Sequence, residues 1–268
     1  NHFITSGLSS VLLQKKYIVS FEEFKSNAGV TLKAPKIDFV SYPYEWSFNQ
    51  WKDAALLTLK IQYQALKFGM ILKDATPFNI LFDGARPLMV DLSSFEIYEK
   101  CIPWQAFKQF SENFYIPVLL AKYFDATANE IYLNNTSGIA VSKGLSLLPA
   151  KAFFNINTLL YLSLPERIRN RKEQQQDGQS NKKNALKSNL QIAGDLFNVI
   201  SSIRQKPINT RWNHYYAKDV EAKYFEQKEL VVKEWLAENY MSKSLIDFGC
   251  NTGNFSIAIS SSVKQVIA

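Results

Sequence analysis

Three polar side chains in the first half of the chain, Asp74, Asn79 and Asp91, have the residue types and the spacing for work on a metal-bound phosphate. An Asp can orient an attacking hydroxyl, while an Asn and a second Asp hold the metal ions that bridge the phosphates. Here the Asn follows the first Asp by five residues, and the second Asp follows the Asn by twelve. The pattern predicts a phosphoryl-transfer site in which Asp74 is the base and Asn79 and Asp91 are Mg²⁺ ligands.

A second pattern lies near the carboxy end, where residues 244–256 combine an apolar run, two glycines and a segment able to start a helix. Gly249 and Gly253 let the backbone turn sharply and approach a ligand closely. The free N–H groups at the start of the following helix can face a nucleotide-like ligand. This stretch therefore predicts a strand, a tight turn and a helix start of the Rossmann type.

A long helix is predicted directly before Asp74. Ser47 and Gln50 form a capping box, and Gly69 supplies a stop. Between them, apolar residues recur at steps of three and four, which indicates a mostly buried helix. We expect this helix to hold the Asp74 loop rigid.

A hairpin is predicted after the loop. Apolar runs at 79–82 and 88–91 flank a turn at 83–87, as in two antiparallel strands. The hairpin is also the alternative interpretation of the whole stretch, because Asp74 and Asn79 could simply cap turns.

The remaining segments are predicted to be short apolar elements, helices and one linker. Residues 1–40 contain no glycine-rich phosphate loop and no lysine that stands out as a nucleotide ligand, and residues 42–46 form an aromatic connector. A polar stretch at 170–187 predicts a linker. The short elements cover 8–13, 17–21 and 37–40. The predicted helices cover 103–124, with a kink at Pro117, and also 145–164, 190–203 and 217–240. The apolar side of the last helix consists of Val231, Val232, Trp235 and Leu236.

Composition places the chain among ordinary globular proteins. It has 268 residues, 47% of them hydrophobic and 14% aromatic, which suffices for about two domains. No apolar run approaches the length of a membrane span, so we expect a cytoplasmic protein. Cys101 and Cys250 are too few for a disulfide framework, and the isolated His2 and His214 predict no zinc site.

The net charge of +7 raises the question of a nucleic-acid partner. Much of the positive charge lies in one polar stretch, which is more typical of a solvated linker than of a phosphate-binding surface. Nucleic acid is therefore not the expected partner. The residues are Arg167, Arg169, Arg171, Lys172, Lys182, Lys183 and Lys187.

The first pattern resembles the site of protein kinases and aminoglycoside phosphotransferases. Two departures stand out, since Leu72 occupies the usual His position and Ser93 replaces a Gly. The resemblance implies an α+β kinase-like domain over 1–205, with an abbreviated N-lobe at 1–40 and a helical C-lobe at 47–205. Its site is either vestigial or binds ATP with Mg²⁺.

The second pattern looks like motif I of class I S-adenosylmethionine (SAM) methyltransferases. That resemblance implies an α/β Rossmann-like domain starting at 211–268, with SAM as cofactor. Because the chain lacks an initial Met and ends inside the next predicted strand, we expect a piece of a longer polypeptide, truncated after motif I and inactive by itself. The cofactor-contacting residues it implies are Asp247, Gly249, Cys250, Asn251 and Gly253.

Segments 39–48, 52–57, 72–81, 90–96 and 247–255 together resemble one bacterial family. Its members look like class I SAM-dependent methyltransferases with a kinase-like region ahead of the methyltransferase domain, and some carry nodulation-protein labels. The resemblance implies a methyltransferase but does not identify its acceptor, for which we expect a small molecule or a glycan. Two alternatives stay open, a phosphotransferase of the aminoglycoside-kinase-like type and a non-catalytic binding module.

Overall fold

The computed structural model describes residues 2–26, 29–99, 103–124, 128–166, 185–205, 222–238 and 244–268. The chain forms two compact units, Asn1–Pro207 and Ile208–Ala268, which combine helices with small two-stranded sheets. Most of the predicted linker, most of the basic residues within it, Cys101 and His214 lie outside the described residues.

Helix α3, Phe48–Lys67, runs through the core of the first unit. Ser47 Oγ accepts a hydrogen bond from the Gln50 N–H at 3.3 Å, and Gln50 Oε1 accepts one from the Ser47 N–H at 2.9 Å. The helix ends before Gly69, whose φ of +70° suits a residue without a Cβ. The predicted helix and capping box are confirmed.

Four short strands follow α3 and form two nested antiparallel pairs. The inner hairpin confirms the prediction, although its turn contains only residues 84 and 85, since Arg86 and Pro87 already belong to the second strand. The strands are β3 (Met70–Leu72) paired with β6 (Phe95–Ile97), and β4 (Ile80–Asp83) paired with β5 (Arg86–Met89).

The amino-terminal region differs from the prediction in two places. The apolar run at 37–40 forms no strand, whereas the segments 22–26 and 29–33 pair as an unpredicted hairpin whose first strand is mainly charged. The predicted element at 17–21 is reduced to a parallel bridge between Ile18 and Met89. The elements are α1 (His2–Thr5), α2 (Leu8–Gln14), β1 (Glu22–Ser26) and β2 (Gly29–Lys33).

The rest of the first unit is helical, in pieces. The helical region predicted at 145–164 forms in several short pieces, because Pro149 interrupts it and Asn155 caps a new start through its side chain. The described pieces are α4 (Phe107–Phe110), a π-turn (Ser111–Tyr115), α5 (Ile116–Tyr123), α6 (Ala128–Leu133), α7 (Val141–Leu147), a 3₁₀ turn (Ala150–Phe154), α8 (Ile156–Thr158), a second π-turn (Leu159–Ser163) and α9 (Ala185–Ser202).

The irregularity predicted at Pro117 takes the form of the first π-turn. Pro117 has no N–H to donate to the Asn113 carbonyl, and its ring would collide with that carbonyl in a regular helix. The Ile116 N–H instead bonds to the Ser111 carbonyl, five residues back, so the helix widens just ahead of the proline.

Aromatic rings fill the centre of the first unit. Trp46 and Trp51, both fully buried, meet edge to face at 5.6 Å between ring centroids. Trp46 also contacts Phe82 at 5.1 Å, and Trp51 contacts Tyr132 at 4.8 Å. The aromatic connector therefore ends in a packing residue.

The second unit contains a parallel strand pair. Strands β7 (Ser244–Ile246) and β8 (Gln265–Ile267) run in the same direction, and helix α11 (Asn254–Ile259) lies between them along the chain. Helix α10 (Ala222–Glu238) matches the predicted amphipathic helix, but Trp235 on its predicted apolar side is 64% exposed. None of the described helices is both long enough and apolar enough to cross a bilayer.

Candidate functional site

The outer strand pair brings Asp74 close in the fold to the segment before β6. Leu72 ends β3 and pairs with Phe95, which begins β6, so the residues beyond this pair emerge at the same end of the ladder. The Lys73 N–H donates to the Ser94 carbonyl at 2.9 Å and extends the pairing by one step. Asp74 therefore directly follows a residue whose backbone is hydrogen-bonded to the segment that contains Asp91.

The inner hairpin brings the other two predicted residues, Asn79 and Asp91, close to each other. Ile80 pairs with Met89, so Asn79 and Val90 flank the open end of the hairpin. The Val90 N–H donates to the Asn79 carbonyl at 2.9 Å. Asn79 and Asp91 thus leave the hairpin side by side.

A serine hydroxyl connects these two side chains directly. Asn79 Nδ2 donates to Ser94 Oγ at 2.9 Å, and Ser94 Oγ donates to Asp91 Oδ2 at 2.8 Å. The other carboxylate oxygen, Asp91 Oδ1, accepts from the Ser93 N–H at 2.8 Å and from Ser93 Oγ at 2.6 Å. The structure therefore brings Asn79 and Asp91 together through a residue that sequence reasoning did not select.

These contacts also set the charge state of Asp91. Partial burial raises the pKa of this carboxyl, but the hydrogen bonds from Ser93 and Ser94 and the positive charge of Lys73 outweigh burial and hold the pKa below its usual value. Asp91 is an anion at neutral pH. A carboxylate in this state can bind a cation.

Three side chains from outside the loop hold the backbone that carries Asp74. Gln62 Oε1, on α3, accepts from the Leu72 N–H at 2.9 Å, and Trp104 Nε1 donates to the Leu72 carbonyl at 2.9 Å. Gln109 Oε1, on α4, accepts from the Ala75 N–H at 2.7 Å. The backbone on both sides of Asp74 is thus fixed from outside the loop.

Tyr132 on α6 adds a further contact. Its buried hydroxyl interacts with the side chain of Thr76. The same hydroxyl is the donor to the Thr136 carbonyl at 2.7 Å and to Asn113 Oδ1 at 3.1 Å. Burial raises the pKa of the phenol to about 12, so it stays neutral. Such a neutral hydroxyl can anchor the loop without adding charge near Asp74.

Asp74 itself keeps an unused acceptor. Its Oδ1 atom is buried, and no described residue donates a hydrogen bond to it. Asn79 Nδ2 donates to Ser94, so the amide Oδ1 is the atom of this side chain that could bind a metal ion. Oxygen donors of this kind suit Mg²⁺. No three His, Cys, Asp or Glu side chains within the described ranges cluster as a metal site, so an ion here would rely on two carboxylates and an amide.

Sequence reasoning missed the residues that support this site. Ser94 lies three residues after Asp91 but was not itself selected, and Gln62, Trp104 and Gln109 lie outside both patterns. One signal existed, since Gln62 lies within the apolar stripe of α3 and is fully buried. A polar side chain at such a position needs a partner, and here the partner is the loop.

The glycine loop of the second unit confirms the predicted strand, turn and helix start. Gly249, Asn251 and Gly253 have φ angles of +74°, +52° and +75°. Glycine adopts such angles without strain, and Asn tolerates them better than most residues. A Cβ at either glycine would meet no described atom within 4 Å, so the backbone angle rather than crowding requires glycine here.

Asp247 ties this loop to its surroundings. Its N–H donates to the Ile267 carbonyl of β8 at 2.8 Å, and its Oδ2 accepts from Ser256 Oγ at 2.5 Å. The loop beyond it is open, with Phe248 91% exposed and Cys250 half-buried. The five predicted residues therefore lie on one exposed turn, but one Asp247 oxygen is already engaged within the unit.

The chain is similar to a protein called Nodulation protein NoeA from Rhizobium meliloti (strain 1021). The two are 30% identical over 251 residues, which is 91% of this chain and 52% of that protein. No family model matches the chain. Because 91% of the chain exceeds the span of the first unit, the similarity includes residues of both units, and the chain spans about half the length of this relative.

Proposed function

We propose that the chain is part of a SAM-dependent methyltransferase whose second unit begins the cofactor-binding domain. The observation that supports this most is the parallel pairing of β7 with β8 across the glycine loop and α11. In open α/β sheets, ligands bind beyond the carboxyl ends of parallel strands, and the loop from Asp247 to Gly253 leaves β7 at that end.

In this proposal the loop residues shape the cofactor site. Because Gly249 and Gly253 carry no side chain, SAM could approach the backbone of the loop closely. The hydrogen bond between Ser256 and Asp247 would hold the turn in place. SAM would supply an electrophilic methyl group. The first unit, for which we propose a kinase-like fold, would recognise a small-molecule or glycan-type acceptor. The name of the relative leads us to propose a nodulation-related role for this chain.

Calorimetric titration of SAM into the full-length gene product tests the proposal. We expect saturable binding that Gly253→Ala weakens roughly five- to thirtyfold, because an L-residue in the left-handed region costs about 1–2 kcal/mol. Gly84→Ala is the matched control, since Gly84 also has a positive φ of +60° but lies in the hairpin of the first unit. Absence of binding heat, alongside a methyltransferase that does bind, would rule the proposal out.

A second candidate is phosphoryl transfer or nucleotide binding by the first unit, with Asp74 as base and Asn79 and Asp91 as Mg²⁺ ligands. The bonded series Asn79, Ser94 and Asp91, together with the unused Asp74 oxygen, favours it. ATP with Mg²⁺ should raise the melting temperature progressively, by an amount that follows ligand concentration. Asp91→Ala should remove this shift while Ser93→Ala retains most of it. If neither SAM nor ATP binds, the non-catalytic binding module becomes the better account.

A further inference from the structure

Strand β6 borders an apolar cleft of about 340 Å³. Phe95 and Ile97 contribute from the strand, Val30 and Leu32 from β2, and Phe3 from α1. Phe3 stacks on Phe95 with 4.7 Å between ring centroids. Ile97 is 60% exposed, which is unusual for a large aliphatic residue beside so much apolar surface. The cleft can accommodate apolar side chains.

A smaller cleft of about 150 Å³ lies at the same strand and is acidic. Glu96 and Glu99 line it together with Gln105. The chain as a whole carries a net charge of +7, yet among the described residues that line this cleft the two charged side chains are both carboxylates. This cleft therefore suits positively charged groups.

The two clefts belong to opposite faces of β6. Glu96 pairs with Ile71 and shares its face, which lines the acidic cleft. Phe95 and Ile97 pair with Leu72 and Met70 on the other face, which borders the apolar cleft. Successive side chains of a strand point to opposite faces. Glu96 and Ile97 line both clefts, so the two clefts adjoin each other along the strand.

The backbone of β6 has a side that does not face β3. The Lys73 N–H bonds to the Ser94 carbonyl and the Tyr98 N–H bonds to the Gly69 carbonyl. Antiparallel pairs alternate between bonded and non-bonded, so the N–H and C=O groups of residues 95 and 97 point away from β3. In the described part of the chain, β3 is the only strand that pairs with β6. Such an edge can pair with another chain.

We propose that this outer edge of β6 binds an extended peptide segment in which apolar and basic residues alternate. The segment would pair with the backbone of residues 95 and 97. Its side chains would then enter the two clefts in turn, apolar ones beside Phe3 and Leu32 and basic ones beside Glu96 and Glu99. This recognition by strand addition takes its affinity from the main chain and its specificity from alternate side chains.

Fluorescence polarisation with a short labelled peptide of alternating valine and lysine tests the proposal on the whole chain. We expect saturable binding, little binding of a valine and glutamate version, and little binding of a peptide with the same valines and lysines in separate blocks. Equal binding of the block peptide would overturn strand addition, because that peptide lacks the alternation. Binding of none of the peptides would overturn the proposal, as would a self-association of the chain that the alternating peptide cannot compete with.

A charge-reversed variant distinguishes a change in peptide selectivity from a loss of folding. Glu96→Lys combined with Glu99→Lys should weaken binding of the valine and lysine peptide roughly tenfold, as expected for two partly exposed ion pairs that become repulsive. The same variant should bind the valine and glutamate peptide better than the unaltered chain does. A variant that loses the first peptide without gaining the second would contradict the acidic cleft as the charge-selective element. Phe24→Lys, on the other face of the β1–β2 hairpin from Leu32, should leave both affinities unchanged.

Discussion

The Asp74 loop and the glycine loop achieve a fixed shape in different ways. Side chains from positions as far as 34 residues away, such as Gln109, hold the Asp74 loop within a buried aromatic region. The glycine loop is exposed and relies on its own backbone angles and on the bond between Ser256 and Asp247. The first loop should therefore be sensitive to substitutions far from it in sequence, and the second mainly to substitutions within it.

Trp104→Ala is the strongest test of whether side chains distant in sequence hold the Asp74 loop in place. Trp104 is 3% exposed, and its ring packs on Phe107 and Phe110 while its Nε1 bonds to the Leu72 carbonyl. We expect a loss of about 3–5 kcal/mol in the free energy of unfolding, measured by urea denaturation. A loss below about 1 kcal/mol would show that the loop does not depend on this residue.

Two Trp→Phe variants separate the hydrogen bond from the packing. Trp104→Phe removes the donor to Leu72 and should cost about 1–3 kcal/mol. Trp51→Phe is the matched control, since Trp51 is also buried but its Nε1 has no acceptor among the described residues. Similar losses in the two variants would mean that ring volume, not the bond to the loop, is what matters.

Ser94→Ala should have the next largest effect. It removes the donor to Asp91 Oδ2 and leaves Asn79 Nδ2, in a buried side chain, without its acceptor. We expect a loss of about 1–3 kcal/mol near neutral pH, measured by urea denaturation.

The pH dependence of this loss in stability tests whether the loss depends on the charge of Asp91. Because the folded-state pKa of Asp91 is lowered, its contribution is fully present above about pH 4 and declines as the pH falls through the folded-state value. The gap between the parent chain and Ser94→Ala should narrow below about pH 4. A gap that stays constant to pH 2 would contradict the role of the Asp91 charge.

Within the glycine loop, Gly249→Ala should cost about 1–2 kcal/mol in the second unit because of its positive φ alone. Hydrogen exchange of the loop amides reports this locally. Gly194→Ala is the control, since Gly194 lies in α9 without crowding and the substitution should stabilise the first unit by about 0.5–1 kcal/mol. Unchanged exchange in Gly249→Ala would mean that the loop tolerates other angles.

The smallest effect is expected for Ser256→Ala. It removes the hydrogen bond to Asp247, at a cost of about 0.5–1.5 kcal/mol, and should speed exchange of the Asp247 N–H. Ser256→Thr keeps a hydroxyl and should retain most of the protection. Equal acceleration in both variants would indicate that the side-chain size at this position matters more than the bond.

Elements with local signals could be predicted from the sequence. The capping box at Ser47 and the turn predicted at 83–87 between two apolar runs depend on neighbours a few positions apart, and both α3 and the β4–β5 hairpin formed as expected. The strand, glycine turn and helix start of the second unit are local in the same way.

The supports of the candidate site could not be predicted, because they join residues far apart in sequence. Gln109 reaches Ala75 across 34 positions and Trp104 reaches Leu72 across 32, and a sequence pattern does not encode such pairs. The β1–β2 hairpin was missed for a different reason. Its first strand is charged and lacks the apolar alternation of a half-buried strand.

Lys52 has a consequence for how the first unit is assembled. From α3 its buried ammonium donates to the carbonyls of Ser201 and Ile203 at 2.6 and 2.9 Å, at the carboxyl end of α9, where a positive charge offsets the helix dipole. Helix α9 lies beyond the interval 167–184, yet it packs on the helix that organises the beginning of the unit. A chain cleaved within that interval should remain associated as two fragments. Conversely, a fragment ending before Ala185 would expose the flank of α3 and leave the ammonium of Lys52 without its carbonyl partners.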